Sequence, residues 1–170
     1  RDEGPAGGMT GRGVHVVDAM LYLAGRIASV NAQSLRLVQD FGMDDTTSML
    51  FRFECGATGY LGTVIATAET WRMQVFGSKG WVEVGDVEHL TTWQMKVCSV
   101  DPAKVERRQP ELISFPETST ERAELEHFAL AAMSGRALAV LGGDEVHGAA
   151  VLEAIVRSCR DESAVRVLAD

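Results

Sequence analysis

Between residues 48 and 115 the sequence switches repeatedly between short alternating runs and tight glycine-bearing turns, and no other feature narrows the fold as much. Residues 48–54 alternate cleanly, with Met49, Phe51 and Phe53 set against Arg52 and Glu54. Residues 55–59 read as a loop and residues 60–67, rich in β-branched side chains, as the returning strand of a hairpin. A second alternation runs over residues 71–76 through Trp71, Met73 and Val75. Gly77-Ser78-Lys79-Gly80 then turns the chain, and residues 81–84 return. Residues 90–98 alternate through Thr91, Trp93, Met95 and Val97, and residues 112–115 make a short strand closed by Pro116. An extended segment at 27–38 and a turn at 40–45 precede this series, and residues 164–168 read as a last strand.

Helical patterns bracket the strands. Val14, Val17, Leu21 and Ala24 recur at three- and four-residue steps, and Gly25 stands where a C-terminal cap is expected. Thr118-x-x-Glu121 has the form of a capping box ahead of a stripe of Leu125, Phe128, Ala129, Ala132 and Met133, which Gly135 ends. Asp144 is placed to cap a third helix, whose apolar surface comes from Val151, Leu152, Ala154, Ile155 and Val156. No repeat or shift in composition marks a second domain. The expectation is therefore an α+β fold, with a mostly antiparallel, open-faced sheet, helices on one face, and residues 1–170 as a single domain. The helix-free face is expected to carry aromatics such as Trp71, Trp81 or Trp93. It would need a partner, so a homo-oligomer through the open sheet face is expected.

The first helix follows four glycines, Gly7, Gly8, Gly11 and Gly13, which read as a flexible loop leading into the helix at Val14. His15, Asp18 and Tyr22 fall at i, i+3 and i+7 and share a face, so an imidazole, a carboxylate and a phenol line the edge of a candidate pocket. The stretch Gly-Gly-x-x-x-x-Gly-Val-His-x-x-Asp, followed by an apolar helix ending in Leu-Ala-Gly, resembles the start of the C-terminal domain in the glucose–fructose oxidoreductase, inositol dehydrogenase and MocA (Gfo/Idh/MocA) family. Val-Phe-Gly-Ser-Lys-Gly at 75–80 and Leu-Glu-Ala-Ile-Val-Arg-Ser at 152–158 are similar to the same family. The resemblance implies the substrate-binding and oligomerising half of an NAD- or NADP-dependent oxidoreductase, with the cofactor bound mainly by an N-terminal Rossmann domain outside this chain. It also implies His15 beside the reacting hydroxyl. The family's pattern is Asp-x-Gly-x-His, and this sequence has Gly11 in the aspartate position.

Charge and composition exclude several classes. The chain has 170 residues, 46% of them hydrophobic and 24% charged, with a formal net charge of −8. An acidic chain without a basic run does not suit nucleic acid, and it lacks the polybasic patch that recruits anionic membranes. No apolar run has the length of a membrane span. Residues 1–5 have no signal-peptide core, and with no initiator methionine the chain reads as part of a longer one. Cys55, Cys98 and Cys159 are odd in number and far apart, without zinc or disulfide spacing, which fits reduced thiols in the cytoplasm.

The candidate site is therefore His15 as the catalytic acid–base group, with Arg12 and Asp18 contacting substrate. His15 can also be a packing or capping residue, and Arg12 and Asp18 can be solvated side chains. No cofactor-binding or metal-binding residues are expected in this chain. Gly56-x-x-Gly59-x-x-Gly62 has the wrong spacing for a dinucleotide loop and reads as a hairpin. His89, His127 and His147 read as surface or capping residues, and Glu126-His127 and Glu145-x-His147 do not form a metal motif. Two function classes remain. One is the substrate half of an NAD(P)-dependent oxidoreductase acting on a sugar, polyol or related compound, inert alone towards NAD(P). The other is a non-catalytic ligand-binding or scaffold module, the reading that Gly11 favours. A metal-dependent hydrolase using His15 and Asp18 has too few ligands in view.

Overall fold

The computed structural model describes residues 6–40, 42–88, 90–101, 103–104, 108–135 and 145–168. They form an α+β arrangement of three helices and two four-stranded antiparallel sheets, with the strands divided between the sheets rather than joined in one. The chain separates into two compact units. One comprises residues 1–67 with 139–170, and the other is the intervening 68–138.

The first unit opens with α1 (Gly7–Ala24), so the glycines taken for an entry loop lie inside a helix. Packing explains the difference. Met9 is 1% exposed, and a Cβ on Gly13 would come within 2.7 Å of the Met9 Cγ and Sδ. Ala6, buried and in the left-handed region at φ 64°, precedes the helix, and its N–H donates to Ser34 Oγ at 2.9 Å. Gly25 ends the helix as expected, with φ 78° and its N–H on the Leu21 carbonyl at 2.8 Å.

Strands β1 (Ile27–Leu35), β2 (Thr46–Phe53), β3 (Thr58–Val64) and β8 (Val165–Arg166) pair in the order β3-β2-β1-β8. The alternation read from residues 48–54 holds: Thr47, Met49, Phe51 and Phe53 turn inward, and Leu50 and Arg52 turn outward. Against the inward face pack Met9 and Val17 of α1 and Val151, Ala154 and Ile155 of α3 (Glu145–Asp161). The expected cap of α3, Asp144, lies outside the described residues. Two helices on one sheet face thus enclose a single core, to which each buried Met, Ile or Phe contributes about 1.5–3 kcal/mol.

Polar side chains complete this core. β8 pairs only with Ser29 and Val30 of β1, and α3 serves the flanking N–H groups. Ile27 N–H donates to His147 Nε2 at 3.0 Å, and Ala32 N–H to Ser158 Oγ at 2.9 Å. After β1, the buried carboxylate of Asp45 accepts from the N–H groups of Leu37, Val38 and Gln39 and from the Thr46 hydroxyl. The Gln39 N–H foremost, with those of Val38 and Leu37 and the Thr46 hydroxyl, holds this carboxyl well below the usual range despite burial.

In the second unit β4 (Met73–Gly77), β5 (Gly80–Val84), β6 (Met95–Ser99) and β7 (Glu111–Ile113) pair in sequence order. Residues 90–92, expected in strand, form one turn of 3-10 helix, and the Trp93 indole N–H reaches the Glu88 carbonyl at 2.9 Å. Register sorts the faces. Val75, Val82 and Val97 stand in one row, and Met73, Val84, Met95 and Ile113 in the next on the same side. That face is therefore aliphatic except at Glu111, which ends the first row on β7. Trp81 lies on the opposite side between Phe76 and Cys98, and Trp71 and Trp93 are outside the strands. The same unit contains α2 (Thr120–Ser134). Its cap is Ser119, whose Oγ accepts from Arg122 N–H, one residue later than the Thr118 box predicts. None of its residues is buried, and Leu125, Phe128 and Met133 are exposed, so its apolar stripe meets no core.

Candidate functional site

Because α1 starts at Gly7, His15 is the ninth residue of an 18-residue helix and not part of its first turn. The helix is held by its other side. Val17 is 1% exposed, a Cβ on Gly13 would lie 3.4 Å from Thr63 Cγ2 of β3, and Met20 reaches Gly59. This anchoring leaves His15, Asp18 and Tyr22 exposed together, as their spacing predicts. The side chains of His15 and Asp18 make no hydrogen bond or ion pair with another described residue. Arg12 lies one turn before His15 in the helix backbone.

Gly11 sits four residues before His15 in the same helix, exposed, with nothing within 4 Å of where a Cβ would be. In helical geometry a carboxylate at position 11 would stand beside the imidazole. In this chain Asp18, at i+3, offers a carboxylate on the same side of His15's helix, one turn later. The face thus combines a group able to take up a proton with a carboxylate able to accept a hydrogen bond, both open to solvent.

The other histidines divide. His127 is an exposed residue of α2, and His89 lies outside the described residues. His147, read as a surface or capping residue, is 1% exposed. Burial above all, with the charge of Arg26, lowers its pKa from the ordinary 6.5, so it stays neutral and accepts the Ile27 N–H at Nε2. No local sequence signal marks this role, because the partner lies 120 residues away. Among the described residues no three His, Cys, Asp or Glu side chains are grouped to hold a metal. No described helix is long and apolar enough to cross a membrane. Cys55, Cys98 and Cys159 are free. Gly56 and Gly59 belong to the turn and strand of the β2–β3 hairpin, so this glycine series is not a strand–loop–helix phosphate cradle.

Residues 1–83 match the model of the GFO/IDH/MocA C-terminal domain. Among curated proteins no sequence matches the chain. Several solved structures share its fold. The aldose-aldose oxidoreductase of Caulobacter crescentus, solved with glycerol, aligns over 94% of this chain and 47% of its own, at 25% identity and a TM-score of 0.78. The WlbA dehydrogenase of Bordetella pertussis, solved with NADH and UDP-GlcNAcA, aligns over 99% of this chain and 47% of its own, at 21% identity and a TM-score of 0.69. An NAD binding oxidoreductase from Klebsiella pneumoniae aligns over 96% and 51%, at 17% identity and a TM-score of 0.75. The chain spans about half the length of these structures. The match to the GFO/IDH/MocA C-terminal domain model, over residues 1–83, takes in α1 with His15 and the whole β1–β3 meander.

Proposed function

We propose that this chain is the substrate-binding half of an oxidoreductase that moves a hydride between NAD or NADP and a hydroxyl-bearing carbon of a sugar, polyol or related compound. The observation that carries this reading is the exposed His15–Asp18 face of α1, inside the segment that matches the family. The oxidoreductases that share the fold, solved with glycerol or with NADH and a nucleotide sugar, support the same substrate class. The cofactor is held mainly by a separate Rossmann domain. When bound, the nicotinamide supplies or takes the hydride. His15 takes the hydroxyl proton as the carbonyl forms and returns it in the reverse direction. Asp18 accepts a hydrogen bond from the imidazole or from a neighbouring substrate hydroxyl, and Arg12 binds an anionic group of the substrate. The aliphatic face of the second sheet pairs with a second copy, and the enzyme works in the cytoplasm with its thiols reduced.

In the enzyme that contains this domain, His15→Ala should lower kcat by about 100-fold or more, the scale of general acid–base catalysis, and change KM much less. An unchanged kcat would remove His15 from the chemistry. Gly11 favours a second reading, a binding module without redox activity. Substrate binding without turnover in the unaltered enzyme, with turnover appearing in Gly11→Asp, would establish it.

A further inference from the structure

On the first sheet, Ser29 of β1 pairs with Arg52 of β2 on one side and Arg166 of β8 on the other. Their neighbours Val30, Phe51 and Phe53 turn into the core, so these three side chains stand abreast on the face opposite α1 and α3. With adjacent strands about 4.8 Å apart, the two arginine Cα atoms are about 10 Å apart, with the serine between them. All three line a depression of about 490 Å³, walled also by Ala28, Glu54 and Val167. The register of β1 against β2 shifts between Ile27 and Ser29, at this same point, and such bulges re-aim side chains and open the pairing locally. Arg157 of α3 anchors the far wall by donating from Nη2 to the Arg166 carbonyl at 3.3 Å.

Among the described residues, no carboxylate is paired with either arginine. The carboxylate of the lining residue Glu54 is engaged by Arg26 at 3.5 Å. The guanidinium groups of Arg52 and Arg166 pair with no described residue. In a chain with 24 acidic and 16 basic residues, two arginines side by side on one sheet face run against the overall balance. An anion seated between them would be attracted by both. Guanidinium forks match the paired oxygens of a carboxylate or phosphate, and a depression of this size admits a small molecule. We propose that this depression is a binding site for a small molecule bearing a phosphate or carboxylate group, held by Arg52 and Arg166 with the Ser29 hydroxyl. The site uses no residue of the His15 face and stands independently of the catalytic reading.

The test is NMR titration of the 170-residue chain with inorganic phosphate and, separately, acetate, with sodium chloride at matched ionic strength as the comparator. Saturable shifts of the Ser29, Arg52 and Arg166 amides are expected with one or both anions and not with chloride. The anion that saturates identifies the oxyanion. Arg52→Ala and Arg166→Ala should each weaken binding about tenfold or more, and Lys variants at the same positions should bind more weakly than arginine. Lys104→Ala, an exposed cation of the second unit, should titrate as the unaltered chain does. The proposal is overturned if neither anion saturates, or if Arg52→Ala and Arg166→Ala titrate unchanged. A change in sedimentation of those variants without anion binding would also overturn it, making the arginines contacts to another protein. Circular dichroism confirms that each variant is folded before its titration is read.

Discussion

The two units build similar sheets, each four antiparallel strands, yet they bury very different amounts of side chain. The first has a continuous core, reaching from Met9 through Met49 and Phe51 to Ile155. Among the described residues, the second contributes only Cys98 to the buried apolar side chains. Its aliphatic sheet face and the stripe of α2 carry the same kinds of side chain that the first unit encloses. Composition therefore does not separate the units; helix placement does. In the first, α1 and α3 lie on the inward face, and in the second no helix residue is buried. A face left in this state is an exposed apolar patch rather than a core.

The largest expected effect bears on that contrast directly. Phe51→Ala should cost the first unit about 3–5 kcal/mol, whereas Phe128→Ala on α2 should change the stability of this chain by less than about 0.5 kcal/mol. Hydrogen exchange read strand by strand is the measurement. Comparable losses of protection in both variants would show that the second unit has a core of its own. The next effect separates two helical glycines. Gly13→Ala should destabilise by about 1–3 kcal/mol, because Met9 is confined at the point where the new methyl would sit. Gly11→Ala, with open space around it, should stabilise α1 by roughly 0.5–1 kcal/mol. Chemical denaturation of both variants checks the opposite signs.

The smallest effect is a dependence on pH. His147 has its pKa lowered in the fold, so its contribution is complete above the unfolded value of 6.5 and is lost as pH falls through the folded value. Arg26 reinforces this direction and Glu54 opposes it. Denaturation midpoints between pH 7.5 and 5 should decline, and the decline should flatten in His147→Gln. An equal slope in that variant would assign the acid sensitivity to other groups.

Much of the first unit was legible because its signals are local. Alternation at Met49, Phe51 and Phe53 identified an inward face, and Gly25 identified a helix end. The glycines at 7–13 misled for the same reason. Glycine permits a loop, but the packing of Gly13 close to Met9 and to Thr63, some fifty residues away, selects a helix. His147 and Asp45 were opaque because each answers a backbone donor on another segment. The stripe of α2 was read correctly as a pattern, but periodicity reports that a face needs cover and not what covers it. On α1, the grouping of His15 with Asp18 followed from spacing alone, while the position of Gly11 beside them depended on where the helix begins.

The first unit is interrupted in sequence by the second, and this sets an order of events during synthesis. When β1, β2 and β3 leave the ribosome, the side of the meander bearing Phe51 and Met49 has only α1 to shelter it. The segment that finishes the enclosure, α3, follows about eighty residues later. At typical translation speeds of about 5–20 residues per second, the nascent meander waits several seconds with half its apolar face wet. During that interval the chain is a natural client for a chaperone that shields apolar strands. Translation stalled after Ser134 should leave a species far more easily trapped by proteases than the finished chain.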